Sequence, residues 1–151
     1  MSNPSKHTGT SGETKVARYL ERNGIPCERK ALAGSNDKGD LRAFLKDGTE
    51  VAIEVKCGEQ THSPTRGKMK KWLDQATVEG NNSGCLGILV IIRYRRKFAD
   101  AEVWFPATST MATMMYIDEF VKIYGTGQKP VEKGYTYPEL RKKERDAAED
   151  S

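Results

Sequence analysis

The chain has 151 residues, of which 36% are hydrophobic and 30% are charged. This length suits one domain with a hydrophobic core rather than two. The longest apolar run, CLGILVII, falls well short of the roughly 20 residues that cross a bilayer, and the polar N-terminus carries no signal-peptide pattern. We therefore expect a soluble, cytoplasmic protein with no membrane partner.

The first half of the chain predicts a helix and three strands. Residues 1–9 are polar and expected to be disordered, and residues 10–24 (TSGETKVARYLERNG) predict a helix that ends at Gly24. PCERKAL predicts a strand and AGSNDKG a loop. Residues 38–57 (KGDLRAFLKDGTEVAIEVKC) then predict a hairpin of two strands.

The second half alternates helices with apolar strands. KMKKWLDQATVEG places apolar residues at helical spacing, and CLGILVIIRY predicts a central strand buried on both faces. After the basic turn RRKFAD, AEVWFPA predicts a neighbouring strand, and the Met-rich stretch TMATMMYIDEFVKIYG (110–125) predicts a helix. We place one domain at 10–137, followed by a charged tail at 138–151.

The cysteines and the basic residues limit the classes of partner. Cys27, Cys57 and Cys85 form no ligand pattern, so we expect reduced thiols and no structural zinc. The window 59–97 holds eight basic and three acidic residues, a net charge of +5 against +4 for the whole chain. Such clustering suits a polyanion such as nucleic acid, although a solvated basic surface is the alternative. The basic residues are Arg66, Lys68, Lys70, Lys71, Arg93, Arg95, Arg96 and Lys97.

The register of the hairpin decides which side chains meet. A two-residue turn at DG would set Asp40 opposite Val55, whereas a three-residue loop with Gly48 in the left-handed conformation sets Asp40 opposite Glu54. Only the second register agrees with the alternation of both strands, with Phe44 as the exception. One face then carries Leu41, Ala43, Leu45, Val51, Ile53 and Val55, and the other carries Asp40, Arg42, Glu50, Ala52, Glu54 and Lys56.

Two carboxylates in that register point to a metal. Side chains directly opposite lie within roughly 5 Å at Cβ and repel each other unless a cation joins them. Hard carboxylate oxygens select Mg²⁺ or Mn²⁺, and Lys56 would lie on the same face beside a metal-bound water. The alternative is a solvent-exposed strand with ordinary charges.

The order GD, hairpin, EVK resembles the PD-(D/E)XK nuclease superfamily, and most of all the Holliday junction resolvases of the archaeal and phage type. The resemblance covers about residues 12–77, with Gly39 where the family has proline. It implies a restriction-endonuclease-like α/β core, in which a central mixed sheet is flanked by helices. It also implies a Mg²⁺-dependent endonuclease, working as a homodimer on branched DNA in a bacterial or phage-infected cytoplasm. The implied catalytic residues are Glu13, Asp40, Glu54, Lys56 and Gln75.

Each of these residues has an implied role. Asp40, Glu54 and the Val55 carbonyl would hold the metal, and Glu13 would bind a second ion or a metal-bound water. Lys56 would orient the attacking water, and the basic residues would hold the DNA backbone. The cut would leave a 5′ phosphate and a 3′ hydroxyl.

Other interpretations stay open. Glu13 could instead complete a capping box with Thr10, Gln75 could be a surface residue, and His7 and His62 could be solvent-exposed bystanders. The function could be that of a restriction-like, single-strand or flap nuclease, or of a non-catalytic nucleic-acid-binding module. For the homodimer we expect an interface on the Met-rich segment, unless its apolar residues pack within one subunit: Met111, Met114, Met115, Ile117, Phe120 and Val121.

Overall fold

The computed structural model describes residues 4–30, 40–108 and 111–126. The predicted loop at 33–39 and the tail at 138–151 therefore lie outside the described residues. The described elements are α1 (Pro4–Arg22), β1 (Cys27–Lys30), β2 (Asp40–Phe44), β3 (Glu50–Lys56), α2 (Arg66–Ser83), β4 (Leu86–Ile91), β5 (Glu102–Pro106), β6 (Ala112–Tyr116) and α3 (Ile117–Tyr124). Short 3₁₀ turns occur at Glu59–Thr61 and Phe98–Asp100.

The described strands form one mixed sheet in the order β1-β2-β3-β4-β5-β6. Strands β3 and β4 are parallel, and every other neighbouring pair is antiparallel. Helix α2 is the crossover between the two parallel strands, which is the usual connection for such a pair. The predicted α/β class, with a central mixed sheet flanked by helices, is confirmed.

Helices cover both faces of the sheet. On one face, Val16 and Leu20 of α1 and Phe120 of α3 join the main core around the sheet. On the other face, Trp72 and Ala76 of α2 pack against the side of β4 that carries Leu89 and Ile91. Because β4 lies between these layers, it is buried from its second residue onward, as its unbroken apolar sequence predicts.

The hairpin adopts the predicted three-residue loop. Leu41 pairs with Ile53, and the Leu45 amide donates to the Thr49 carbonyl at 2.9 Å. Gly48 has a φ of 89°, the left-handed conformation that glycine adopts without a steric penalty. Continuing the register by one residue places Asp40, the first residue of β2, opposite Glu54.

The Met-rich segment was predicted to form one long helix, and this prediction is wrong for residues 112–116. Residues 112–116 form the edge strand β6, and only Ile117–Tyr124 is helical. Met115 pairs with Val103 of β5, so pairing along the sheet outweighs the helical preference of methionine. The physical result is a divided segment, in which Ile117, Phe120 and Val121 are buried while Met111 and Met114 are exposed.

Helix α1 begins at Pro4, earlier than the predicted start at Thr10. Proline suits the first turn of a helix because the amide hydrogen it lacks has no partner there. The predicted disordered segment 1–9 overlaps this helix, and Thr10 lies inside it. Glu13 therefore does not complete a capping box. None of the described helices combines the length and the apolar character that crossing a bilayer requires.

Candidate active site at the carboxyl end of β3

Glu54 and Lys56 lie side by side on the face of β3 that α2 covers. Lys56 Nζ is 3.0 Å from Glu54 Oε1, and both side chains are largely shielded, with exposed fractions of 15% and 16%. In the parallel register Glu54 is level with Leu89 and Lys56 with Ile91, the residues that pack under α2. The ion pair thus sits at the carboxyl ends of two parallel strands, the edge of a sheet where ligands bind most often.

The backbone at this edge places a carbonyl toward β2. The Ile92 amide donates to the Lys56 carbonyl at 2.9 Å, so that carbonyl faces β4. Successive carbonyls of a strand point in opposite directions, and the Val55 carbonyl therefore faces β2, where Asp40 begins the strand. Glu54, Val55 and Asp40 meet in this register, although the Asp40 side chain lies outside the described part of the structure.

Glu13 comes to the same end of β3 from the other face. A Cβ atom on Gly12 would lie 2.7 Å from Cys57 Sγ, which shows how closely α1 approaches the end of the strand. Glu13 Oε2 lies 2.8 Å from Arg29 Nη2, and the Glu13 side chain is 19% exposed. Arg29 was not predicted from the sequence as a partner of Glu13. The role of Glu13 in a metal site stays a prediction.

Gln75 and Glu54 line one groove of about 530 Å³ between α2 and β3. The amide Oε1 of Gln75 is buried, and no described group donates a hydrogen bond to it. Glu79, one helical turn beyond Gln75, lines the groove too, and so does Asp74. Neither acid was predicted from the sequence as a site residue, although the spacing of four between Gln75 and Glu79 puts them on one face of a helix.

The oxygen atoms at this edge fit a hard cation. They are the Glu54 carboxylate, the Val55 carbonyl that faces β2 and the unpaired amide oxygen of Gln75, all of the kind that Mg²⁺ prefers. Among the described side chains, no three His, Cys, Asp or Glu residues form a metal-binding group. Burial raises the pKa of the nearby Cys57 thiol, which therefore stays protonated at neutral pH.

The basic residues form two groups near this edge. Those on α2, Arg66, Lys68, Lys70 and Lys71, are exposed, and Lys70 pairs with Asp74 at 2.9 Å. The second group follows β4. There Arg95, Arg96 and Lys97 are exposed, whereas Arg93 makes a two-pronged ion pair with Glu102 at 2.8 and 2.9 Å.

The two histidines lie in different places. His7 falls in α1, with its side chain outside the described part of the structure. His62 packs edge-on against Tyr94, with 6.1 Å between the ring centroids. It lines a second cavity rather than the groove that holds Glu54.

Comparison with known proteins finds similarity to solved structures alone. No protein-family model and no curated protein matches the chain. Among solved structures, the chain is similar to Hjc, a Holliday junction resolvase from the archaeal hyperthermophile Archaeoglobus fulgidus. The identity is 16%, the match covers 78% of this chain and 94% of that chain, and the TM-score is 0.45. At these values the likeness says nothing about activity, which has to come from the residues of the site.

Proposed function

We propose that the protein is a metal-dependent endonuclease of the PD-(D/E)XK type that hydrolyses phosphodiester bonds in branched DNA, as Holliday junction resolvases do. The observation that carries the proposal is the Glu54–Lys56 pair at the carboxyl end of β3, with Asp40 opposite Glu54 in the register. An acid and a lysine on one strand face, with a second acid across the ladder, supply both the ligands and the cation that phosphodiester hydrolysis requires.

The metal site would use the oxygen atoms already described. Asp40, Glu54 and the Val55 carbonyl would hold Mg²⁺, with Mn²⁺ as an alternative, and Glu13 and Gln75 would hold its water or a second ion. A bound Mg²⁺ neutralises charge on the phosphate and makes a bound water more acidic.

Lys56 has a separate task. Its ammonium group sits 3.0 Å from Glu54, where it orients the attacking water and stabilises the negative charge that builds up on the phosphate oxygens. A lysine fixed by an ion pair and shielded from solvent is already in place before the substrate arrives. This saves the reorganisation that a mobile side chain would need during the reaction.

The exposed basic residues would hold the DNA backbone. Those at the start of α2 and those after β4 flank the edge of the sheet that carries Lys56. Contacts of this kind bind phosphates without reading sequence, which suits an enzyme that recognises the shape of its substrate. Arg93, also predicted to bind DNA, pairs with Glu102 at 2.8 Å.

A homodimer would cut a four-way junction most simply, because two sites related by a twofold axis make two symmetric cuts. The exposed Met111 and Met114 at the edge strand β6 offer apolar surface for such an interface. Ile117, Phe120 and Val121, three of the six residues expected at the interface, are buried inside one subunit. That observation favours a second candidate, a flap or restriction-like nuclease that works with a single site.

The experiment is a cleavage assay on a panel of DNA substrates, comprising a four-way junction, a flap, a linear duplex and a single strand, each with Mg²⁺ and with EDTA. The resolvase proposal predicts Mg²⁺-dependent, paired cuts in the junction. Preference for the flap supports the second candidate. Binding without cleavage of any substrate would make the protein a non-catalytic binding module.

A further inference from the structure

A second cavity, of about 780 Å³, opens beyond the end of β4 and is distinct from the groove that holds Glu54. It is bounded by the 3₁₀ turn after β3, by the turn after β4 and by the end of β6. Its lining includes aromatic and cationic side chains, among them His62, Arg93, Tyr94, Arg95, Arg96 and Tyr116.

The wall of this cavity is fixed by a network of hydrogen bonds. Thr61 is fully buried, and its hydroxyl accepts a hydrogen bond from the Tyr94 amide at 2.8 Å. Arg93 donates to the Thr61 carbonyl at 3.1 Å while it grips Glu102. The two turns are therefore tied together, and Tyr94 projects from a rigid base.

Arg95 occupies an unusual backbone conformation. Its φ is 60°, the only positive value among the described residues other than glycine, and non-glycine side chains reach this region at an energetic cost. The guanidinium carbon lies 5.0 Å from the centre of the Tyr94 ring, within the range of a cation–π contact. Glycine would adopt this conformation with less strain, yet the residue here is an arginine whose side chain is exposed.

The charge of the cavity is positive. Glu102 is neutralised by Arg93 and also accepts a hydrogen bond from the Trp104 indole at 3.0 Å. Asp100 is a further carboxylate on the lining. The two positive charges of Arg95 and Arg96 outweigh the one negative charge of Asp100, and neither arginine pairs with a described carboxylate. The cavity therefore combines a site for an anion with aromatic surfaces.

The sheet register connects this cavity to Lys56. Lys56 is level with Ile91, Ile91 with Glu102, and Glu102 with Tyr116. All four side chains belong to one row on the α2 face of the sheet. Since neighbouring strands lie about 4.8 Å apart, Glu102 is about 10 Å from Lys56 along this row, and Tyr116 is about 14 Å away. At about 3.4 Å per nucleotide, a stacked DNA strand covers this distance in three or four nucleotides.

We infer that this cavity binds an unpaired nucleotide of single-stranded DNA next to the cleavage site. The base stacks on the aromatic and guanidinium surfaces of Tyr116, Tyr94 and Arg95, and Arg96 holds the phosphate. Aromatic side chains next to arginines bind single strands in this way, because every base has a stacking face. Bases within a duplex are already stacked and cannot enter. The inference rests on the proposed function and adds that one nucleotide near the cut is unpaired when the branched DNA is bound.

The test measures binding in EDTA, without cleavage, on the full chain. Fluorescence anisotropy compares a labelled thymidine oligonucleotide of about 12 nucleotides with a blunt duplex of equal length. We expect Tyr116→Ala and Arg95→Gly each to weaken binding of the single strand about 10-fold or more, which is on the order of a single stacking contact. The factor by which each weakens binding of the duplex should be at least about threefold smaller. Tyr116→Phe, which keeps the ring, should bind the single strand like the unaltered protein.

Two further measurements keep the test specific. Arg95→Gly removes the unfavourable φ, so its Tm should stay equal or rise while its binding falls, which a merely structural role would not produce. Arg18→Ala, an exposed cation on α1, is the charge control and should bind both DNAs nearly normally. An equal loss on single strand and duplex, or no loss on either, would overturn the inference. Neither result would touch the proposed nuclease, whose own test is cleavage.

Discussion

Lys56 Nζ lies 3.0 Å from Glu54 Oε1, and the two residues are separated by only one position along β3. Alternate residues of a strand share a face, so the sequence Glu-x-Lys by itself sets the acid and the cation next to each other. Because the register also sets Asp40 opposite Glu54, the three residues of the candidate site require only one correctly formed hairpin.

Lys56→Ala should lower the rate of cleavage by about 10²-fold or more, since a single preorganised electrostatic stabiliser commonly has an effect of that size. The fold should persist, because Lys56 lies at the end of its strand and at the rim of the sheet. Single-turnover cleavage at saturating Mg²⁺ measures the effect, with Lys122→Ala, an exposed lysine on α3, as the matched control. Near-normal turnover would reduce Lys56 to a structural partner of Glu54.

Reversing Arg95, Arg96 and Lys97 to glutamate should weaken binding to all DNA sequences to a similar extent. It should also flatten the salt dependence of binding, because fewer counterions are released on binding when phosphate contacts are lost. Titrations at several salt concentrations on unrelated duplexes measure both quantities. A loss confined to one sequence would indicate that these residues read bases instead.

Gly87→Ala should destabilise the fold by about 1–3 kcal/mol, the usual cost of overpacking a core. A Cβ atom at this position in β4 would collide with the Ala76 carbonyl of α2, and the helix that carries Gln75 would have to move away from the sheet. Cleavage should fall together with Tm. Gly67→Ala is the control, because its nearest neighbour is Thr65 Oγ1 at 3.9 Å, and it should leave Tm unchanged or slightly higher.

The hairpin was predictable because local chemistry decides it. Gly48 allows the left-handed turn, the alternation of apolar residues fixes the register, and both appear in the sequence. The apolar run of β4 likewise shows that helices cover the strand on both sides. These are short-range signals, and the structure agrees with them.

The features that the sequence did not reveal depend on distant residues. Met115 lies in a strand because Val103 of β5 is available to pair with it, and no local pattern around Met115 shows that partner. Glu13 meets Arg29, and Glu79 reaches the groove of Glu54, only after α1 and α2 have packed on the sheet. Helix periodicity identified the faces of α2 but not the side chains they would meet.

The homodimer is tested by the mass of the protein in solution. Light scattering at micromolar concentration should give twice the mass of one chain if the exposed Met111 and Met114 belong to an interface. Met114→Glu should then shift the mass toward one chain and uncouple the two cuts in a junction. A strict monomer that still cuts DNA would contradict the resolvase proposal and favour the single-site nuclease.

The most direct test of the central claim is cleavage of a four-way junction by the unaltered protein and by Glu54→Gln and Asp40→Asn, with Mg²⁺ and with EDTA. Each substitution removes one charge from the candidate metal site and leaves the shape of the side chain almost unchanged. The account predicts Mg²⁺-dependent cleavage by the unaltered protein, and no cleavage by either variant despite normal Tm and normal binding of the junction. Cleavage that both variants retain, or that persists in EDTA, would contradict it.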